Sequence, residues 1–300
     1  MAESERQGSG HGLLLLNKEA GVTSFDSLAA VKRVFATGKV GHTGTLDKFA
    51  SGLLVVLVGR GVKLNPLFIN CTKEYTADIL FGEETDTLDP EGTVIAKGEL
   101  PSREAIEAVL ESFCGEILQS PPAYSAKHIN GRRSYEFARE GKEPEMKKQQ
   151  VTVHELALVS WSPPVGRIRV RVSSGTYIRS LARDIAIAAG TRAHLSALKR
   201  NMVGPFCLED AVNKECLNVK DLHPINASLF RKLQLPFLFI DSNAEESFIH
   251  GKSLDGFIKT ENLSTEKDTA GVFARDRLNF LGFLERKNGK WSYGHVFAGN

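Results

Sequence analysis

Cysteine is scarce in this 300-residue chain: four residues, Cys71, Cys114, Cys207 and Cys216, with no C-x-x-C pair. That spacing excludes a disulfide framework and a zinc ribbon, and predicts reduced thiols in a cytoplasmic compartment. Long apolar runs are missing too. The longest, Leu53–Val58, is far short of the ~20 residues a membrane helix needs. Met1 to His11 is polar and of mixed charge, so no secretory signal is read there and no membrane partner is expected. The eight histidines show neither H-x-x-x-H spacing nor a link to cysteine, which argues against a metal. No P-loop and no strict G-x-G-x-x-G are present. Net charge is almost absent as well: 38 Lys and Arg against 36 Asp and Glu leave +2, a figure that by itself argues against a nucleic-acid partner.

The placement of the charges argues the other way. Between Val165 and Val203 stand Arg167, Arg169, Arg171, Arg179, Arg183, Arg192, Lys199 and Arg200, with Asp184 the single acid. A second basic stretch runs from Lys127 to Lys148. Glu83 to Glu91 is its opposite, acidic throughout, and reads as a solvated face. In the first stretch Ile168, Val170 and Val172 alternate with Arg167, Arg169 and Arg171, the period of a half-buried strand. Such a strand sets three guanidiniums on one face, and their planar forks suit phosphate.

With 42% hydrophobic residues, the chain has material for about two domains at roughly 150 residues each. Strands are expected at Leu13–Leu16, Leu53–Val58, Tyr75–Phe81, Val151–Val159 and Arg167–Ser173. Helices are expected from Ser24 (as N-cap) to Phe35, after Pro101-Ser102, and from Ile178 to Ala189 with Gly190 closing it. Asp221 to Leu235 is ambiguous. After Pro236, short apolar segments at Phe237–Ile240, Gly271–Ala274, Leu278–Leu284 and Trp291–Val296 predict a small β-rich module. The boundary is therefore placed at 1–235 and 236–300. Strands and helices without regular βαβ alternation make the class α+β.

Three segments have the composition of a site. In Val40–Leu54, three glycines, two threonines, His42 and the lone carboxylate Asp47 lie between a helix and a buried strand, where a catalytic group is commonly held. A turn-capping Asp47 and a structural His42 are the alternative there. In Ser173–Asp184, Tyr177 and Arg179 fall where a strand gives way to a helix, and an anion beside Arg179 would offset the helix dipole. A core tyrosine and a surface arginine, Arg183, are the plainer reading. Ser120–Tyr135 interleaves bases with aromatics, a mixture that suits RNA.

Together these segments resemble the TruB family of tRNA pseudouridine synthases. The match runs in order through Leu13–Lys18, Gly41-His-Thr-Gly-Thr-Leu-Asp47, Lys73-Glu-Tyr75, Gly82–Gly92, Pro121–Gly131, Gly175-Thr-Tyr-Ile-Arg179 and His194–Arg200, most of the first 205 residues. It implies the pseudouridine synthase fold, with a central mixed, largely antiparallel sheet and a PUA-like RNA-binding module behind it. It also implies isomerisation of uridine 55 in the tRNA T-loop, without cofactor or metal and without an obligatory protein partner, by a monomer. On this resemblance Asp47 is the nucleophile, Arg179 its ion-pair partner, and Tyr75 and Tyr177 lie against the flipped base. His42 takes the space vacated by the extruded nucleotide or supports the flipped loop, Thr45 is counted with the substrate-binding residues, Leu198 lines the uracil pocket, and Lys18 supports the site or meets phosphate. Arg169, Arg171 and the Lys127–Lys148 stretch hold the T-arm backbone. Three positions depart from the family's pattern: Lys48 and Glu19 stand where proline is usual, and His128 stands where lysine is usual. Two other functions share the surface, a tRNA-binding protein that remodels without catalysis and a guide-RNA-dependent synthase of the dyskerin type. The grouping of Asp47, Tyr75, Tyr177 and Arg179 favours catalysis.

Overall fold

The computed structural model describes residues 10–122, 124, 128–129, 132–133, 147–258, 263, 266–276 and 278–297. Most of the basic Lys127–Lys148 stretch, and the side chain of His128, lie outside the described residues.

The apolar run Leu53–Val58 falls in the strand Ser51–Val58, which pairs antiparallel with Gly12–Lys18. Both strands are buried on both faces. Leu13, Leu15, Leu53, Val55 and Leu57 pack on one side; Leu14, Leu16, Leu54, Val56 and Val58 pack on the other. Burial on two faces is why these strands read as unbroken apolar runs rather than alternating ones. The helix Leu28–Val34 closes one side. Phe230, from the helix Ala227–Lys232, closes the other together with Phe273 and Phe283 from beyond residue 236.

From Ser51–Val58 the sheet steps across a short parallel pairing to Ala193–Val203. It then continues antiparallel through Lys73–Phe81, Val165–Val172 and Gln149–Ser162 to the edge strand Gly115–Gln119. This is the mixed, largely antiparallel sheet of the α+β expectation. Tyr75, Ala77, Ile79, Ile168, Val170 and Val172 point to one face, under the helices Arg103–Leu110 and Ile178–Ala188.

The opposite face of the same strands is charged, and here the sequence reading needs correction. Arg167 meets Asp78, Arg169 meets Glu74 and Arg171 meets Glu155, at 2.6, 2.9 and 3.0 Å. The arginine row is thus matched by a carboxylate row from the adjoining strands. A sum over chain neighbours could not register this, because the partners of Arg167 and Arg169 come from a strand some ninety positions earlier. Register also places Arg169 and Arg171 on the face away from Tyr75.

Ser24 is a second correction. The helix starts at Leu28 with Ser27 at its cap, while Ser24 is buried and bonds the Leu46 backbone. The ambiguous 221–235 stretch contains the helix Ala227–Lys232, capped by Asn226. Beyond it a four-stranded sheet forms from Phe237–Ile240, Thr269–Ala274, Phe280–Lys287 and Lys290–Val296, with the helix Ser242–Ile249 beside it. The third strand starts two residues later than read, since Leu278 is exposed with φ +54°.

Candidate active site

Three buried side chains, Ser24, Lys18 and Arg200, set the loop that carries Asp47. Ser24 Oγ donates to the Leu46 carbonyl and accepts from the Leu46 N–H, at 3.0 and 2.8 Å. Lys18 Nζ donates to the carbonyls of Ala50 and Glu19 at 2.6 and 2.9 Å, and to that of Lys48 at 3.4 Å. Arg200 donates to Gly44 O at 3.0 Å and Leu53 O at 2.8 Å. Thr43, itself buried, continues the strand Val40–His42 by bonding Val55 O through its N–H. The Arg200 backbone runs so close to Gly52, at φ +105°, that a Cβ there would strike the Arg200 carbonyl oxygen. Only glycine fits that crossing.

Asp47 leaves this loop to meet Arg179. Its Oδ2 lies 3.0 Å from Nε and its Oδ1 3.1 Å from Nη2, a two-point pair. The remaining guanidinium nitrogen, Nη1, reaches Asp89 Oδ2 at 3.1 Å and the Thr87 carbonyl at 3.0 Å. Nη2 also donates to Tyr124 O at 2.9 Å. The side chains of Arg179 and Asp89 are each 7% exposed, while that of Asp47 is 36% exposed. The network is closed on all sides except at the Asp47 carboxylate. Burial holds the Asp47 carboxyl above the usual carboxylate range, against the opposing pull of Arg179; Asp89 pushes the same way as burial, and Lys18 opposes it.

The open side of Asp47 faces a cleft of about 540 Å³. Thr45, Tyr75, Tyr177, Arg179 and Leu198 line it, so five of the residues expected at the site do meet around Asp47. Lys18 and His42 stand behind the cleft wall. Lys18 is 1% exposed, and its amine is taken up by the carbonyls of the loop. Its burial brings the amine down to about 8, with Asp47 resisting and Arg200 assisting the shift. His42 keeps its Nδ1 buried with no hydrogen-bond partner, and burial together with Arg200 lowers its pKa. Arg169 and Arg171 are not part of the cleft.

Sequence reading missed several members of the site. Asp89 sits in the acidic Glu83–Glu91 stretch, taken as solvated; Asp89 and Glu84 are in fact buried there. Lys73 and Arg200 line the cleft and donate to backbone carbonyls, Lys73 to Ile69 O at 2.8 Å. Burial takes the Lys73 amine down to about 8. Each lies within a motif matched to the family, but its neighbours Tyr75 and Leu198 drew the attention.

Among the described residues no three His, Cys, Asp or Glu side chains are placed to hold a metal ion, and no helix is long and apolar enough to cross a membrane. All four cysteines are free thiols.

Residues 32–178 match the model of the TruB family pseudouridylate synthase N-terminal domain. A tRNA pseudouridine synthase B of Borreliella burgdorferi (strain ZS7) is 46% identical over 237 residues, 78% of this chain and 82% of that protein. Its namesake from Zymomonas mobilis is 40% identical over 260 residues, 82% of this chain and 85% of the relative. The Burkholderia lata namesake is 38% identical over 286 residues, 93% and 87% respectively. Among solved structures, a chain in the crystal structure of a Cbf5-Nop10-Gar1 complex superposes with a TM-score of 0.68. That match covers 96% of this chain and 84% of the other at 22% identity, a likeness of fold. With identity this high over most of its length, the chain belongs to the TruB family of tRNA pseudouridine synthases.

Proposed function

We propose that this chain, as a tRNA pseudouridine synthase, isomerises the T-loop uridine at position 55, with Asp47 as nucleophile. The observation that carries the reading is the Asp47 carboxylate, gripped by Arg179 and open only toward the cleft. Isomerisation breaks the N1–C1′ bond, turns the uracil and joins C5 to C1′. The C5 proton leaves and N1 gains one, so no external electron or group is needed. A duplex-stacked base cannot reach Asp47, so the uridine is extruded into the cleft. There Tyr75 and Tyr177 lie against its faces, and Leu198 packs on its edge. Covalent attack by Asp47 divides one hard step into two easier ones. Arg179 orients that carboxylate and lowers the cost of its charge.

Lys73 and Arg200 bring two cations to one wall of the cleft, bonded to carbonyls rather than to carboxylates. Lys73 suits the phosphates flanking the flipped nucleotide, while Arg200, 2% exposed, holds the Asp47 loop. Thr45 contributes its hydroxyl at the rim, and His42 fills space behind the extruded base. In the same reading residues 1–235 form the catalytic part, and residues 236–300 a PUA-like RNA-binding module. The chain works as a monomer, without guide RNA or cofactor.

The test is direct. An unmodified tRNA and an isolated T-arm hairpin are incubated with the wild type and with Asp47→Asn, and pseudouridine is mapped. The expected outcome is conversion of the T-loop uridine by the wild type with no guide or metal, and binding without conversion by the variant. No product on either RNA, or an equally active variant, would sink the reading; so would modification that appears only when a guide RNA is added.

A further inference from the structure

We infer that Gln119, with Gln149 beside it, is the positioning residue that fixes Tyr177 and the helix start carrying Arg179; the inference rests on the reaction proposed above. Gln119 ends the edge strand Gly115–Gln119 and is fully buried. Its amide spans one residue at two points. Oε1 accepts from the Tyr177 N–H at 2.8 Å, and Nε2 donates to the Tyr177 carbonyl at 3.0 Å. That is the bonding a neighbouring strand residue would supply, delivered by a side chain to a segment that has left the sheet.

The segment needs it. Tyr177 is the cap residue of the helix Ile178–Ala188, and its own side chain makes no capping bond. Without Gln119, the Tyr177 N–H would lose its partner in a site largely closed to water, and the Tyr177 carbonyl would keep only the Leu181 N–H, at 3.1 Å. Gln149 lies directly opposite Gln119 on the adjoining strand, and its Nε2 donates to the Gly175 carbonyl at 2.6 Å. Two side-by-side glutamines therefore hold the turn Gly175–Tyr177 at both its ends. One residue further on, Ser180 Oγ donates to Ser120 O at 2.8 Å, in register with the same clasp.

A buried amide is an expensive way to fill space. Burying one without partners is costly, whereas methionine would fill a similar volume with no polar group to satisfy. What the amide adds is direction. It ties the Tyr177 ring and the Arg179 guanidinium to the sheet edge, while Asp47 hangs from the opposite side through Lys18, Ser24 and Arg200. The register between nucleophile and partner depends on both anchors. Misplacement by about 1 Å at such a site costs on the order of 10²-fold in rate.

The experiment compares Gln119→Met, Gln119→Glu, Gln149→Ala and wild type on a T-arm hairpin. It reads single-turnover rate and hairpin Kd across a pH series, with thermal melts as the folding control. Gln119→Met is expected to slow conversion by about 10- to 100-fold at every pH, with Kd within about threefold. Gln119→Glu carries the sharper readout. An ionised carboxylate accepts from the Tyr177 N–H but repels the Tyr177 carbonyl; once protonated, it donates again. The rate of Gln119→Glu relative to wild type should therefore rise as pH falls, while that of Gln119→Met stays flat. A merely space-filling role predicts no such divergence. Gln149→Ala, at a partly exposed position, should lose rate several-fold in the same direction. Wild-type turnover in Gln119→Met, or a pH-independent Gln119→Glu ratio, overturns the inference. If the Gln119 variants do not fold, unchanged turnover in Gln149→Ala overturns it instead. A wild type inert on the hairpin would count against the proposed reaction, not against the clasp.

Discussion

Asp47 and Asp89 share one guanidinium. Arg179 gives Asp47 its Nε and Nη2 and gives Asp89 its Nη1, with contacts between 3.0 and 3.1 Å. One carboxylate is open to the cleft and the other is sealed. The open one is free to react; the sealed one keeps the arginine from following it.

Asp89→Asn tests that division. The variant leaves Nη1 with a weaker acceptor in a buried place, and breaking a buried pair costs about 3–5 kcal/mol. A fall in denaturation midpoint is expected, with conversion slowed by at least about tenfold. Asp89 also raises the Asp47 pKa, so its removal should move the acid limb of the pH–rate profile to lower pH. An unmoved limb would show that the two carboxylates do not sense each other.

Asp47→Asn should abolish conversion without weakening the fold. The folded-state pKa of Asp47 is raised, so the folded chain binds this proton more tightly than the unfolded chain does. Stability is then lost as pH rises from the unfolded value through the folded one, and the ionised group is a cost at neutral pH. The variant's melting temperature should equal or exceed that of the wild type at pH 7. The difference should shrink as pH falls through the folded value and be gone by about 3.9, below which the unfolded group is protonated as well. Melts at several pH values decide it.

Lys18 has the mirror-image signature. Its folded value of about 8 lies below its ordinary 10.5, so between them the unfolded chain holds more protons and stability rises with pH. Lys18→Met removes that slope. Relative to the variant, the wild type should gain stability from pH 8 toward 10.5. The variant should also convert substrate about tenfold more slowly, because the carbonyls of Ala50 and Glu19 lose their donor and the Asp47 loop loosens. Urea titrations and single-turnover rates measure the two effects separately.

Cations on the two faces of the sheet should behave differently toward RNA. Arg169→Ala and Arg171→Ala remove guanidiniums already paired with Glu74 and Glu155, so hairpin Kd should shift by less than about twofold. Lys73→Met removes a cleft cation. Its Kd should weaken, and the slope of log affinity against log salt should fall by about 0.7–0.9. Salt titrations of the three variants make the comparison.

What could be read from the chain followed the range of each interaction. Leu53–Val58 and the alternating 167–172 strand are written in local periodicity, and both form as expected. The loop holding Asp47 was legible because glycines and a lone carboxylate between two elements are locally unusual. Asp89 was not, since its meaning lies in Arg179, ninety positions away. The Arg167–Arg171 row misled for the same reason: its neutralising carboxylates sit on other strands. Gln119 carries no local signal at all; a glutamine at a strand end looks solvent-bound until Tyr177 folds over it.

Phe273 and Phe283 of the C-terminal part share one apolar cluster with Phe230 and with Leu13, Leu15 and Leu53 from the heart of the main sheet. The two parts are joined through that continuous apolar core. The span between the cleft and the second sheet is set by packing rather than by a tether, so the molecule has the jaws of a caliper locked at one width. On the proposed reading, in which the second sheet meets RNA and Asp47 acts on the uridine, an RNA must bring its uridine to that matching distance, and one with a shorter or longer arm would miss Asp47 while still finding the surface.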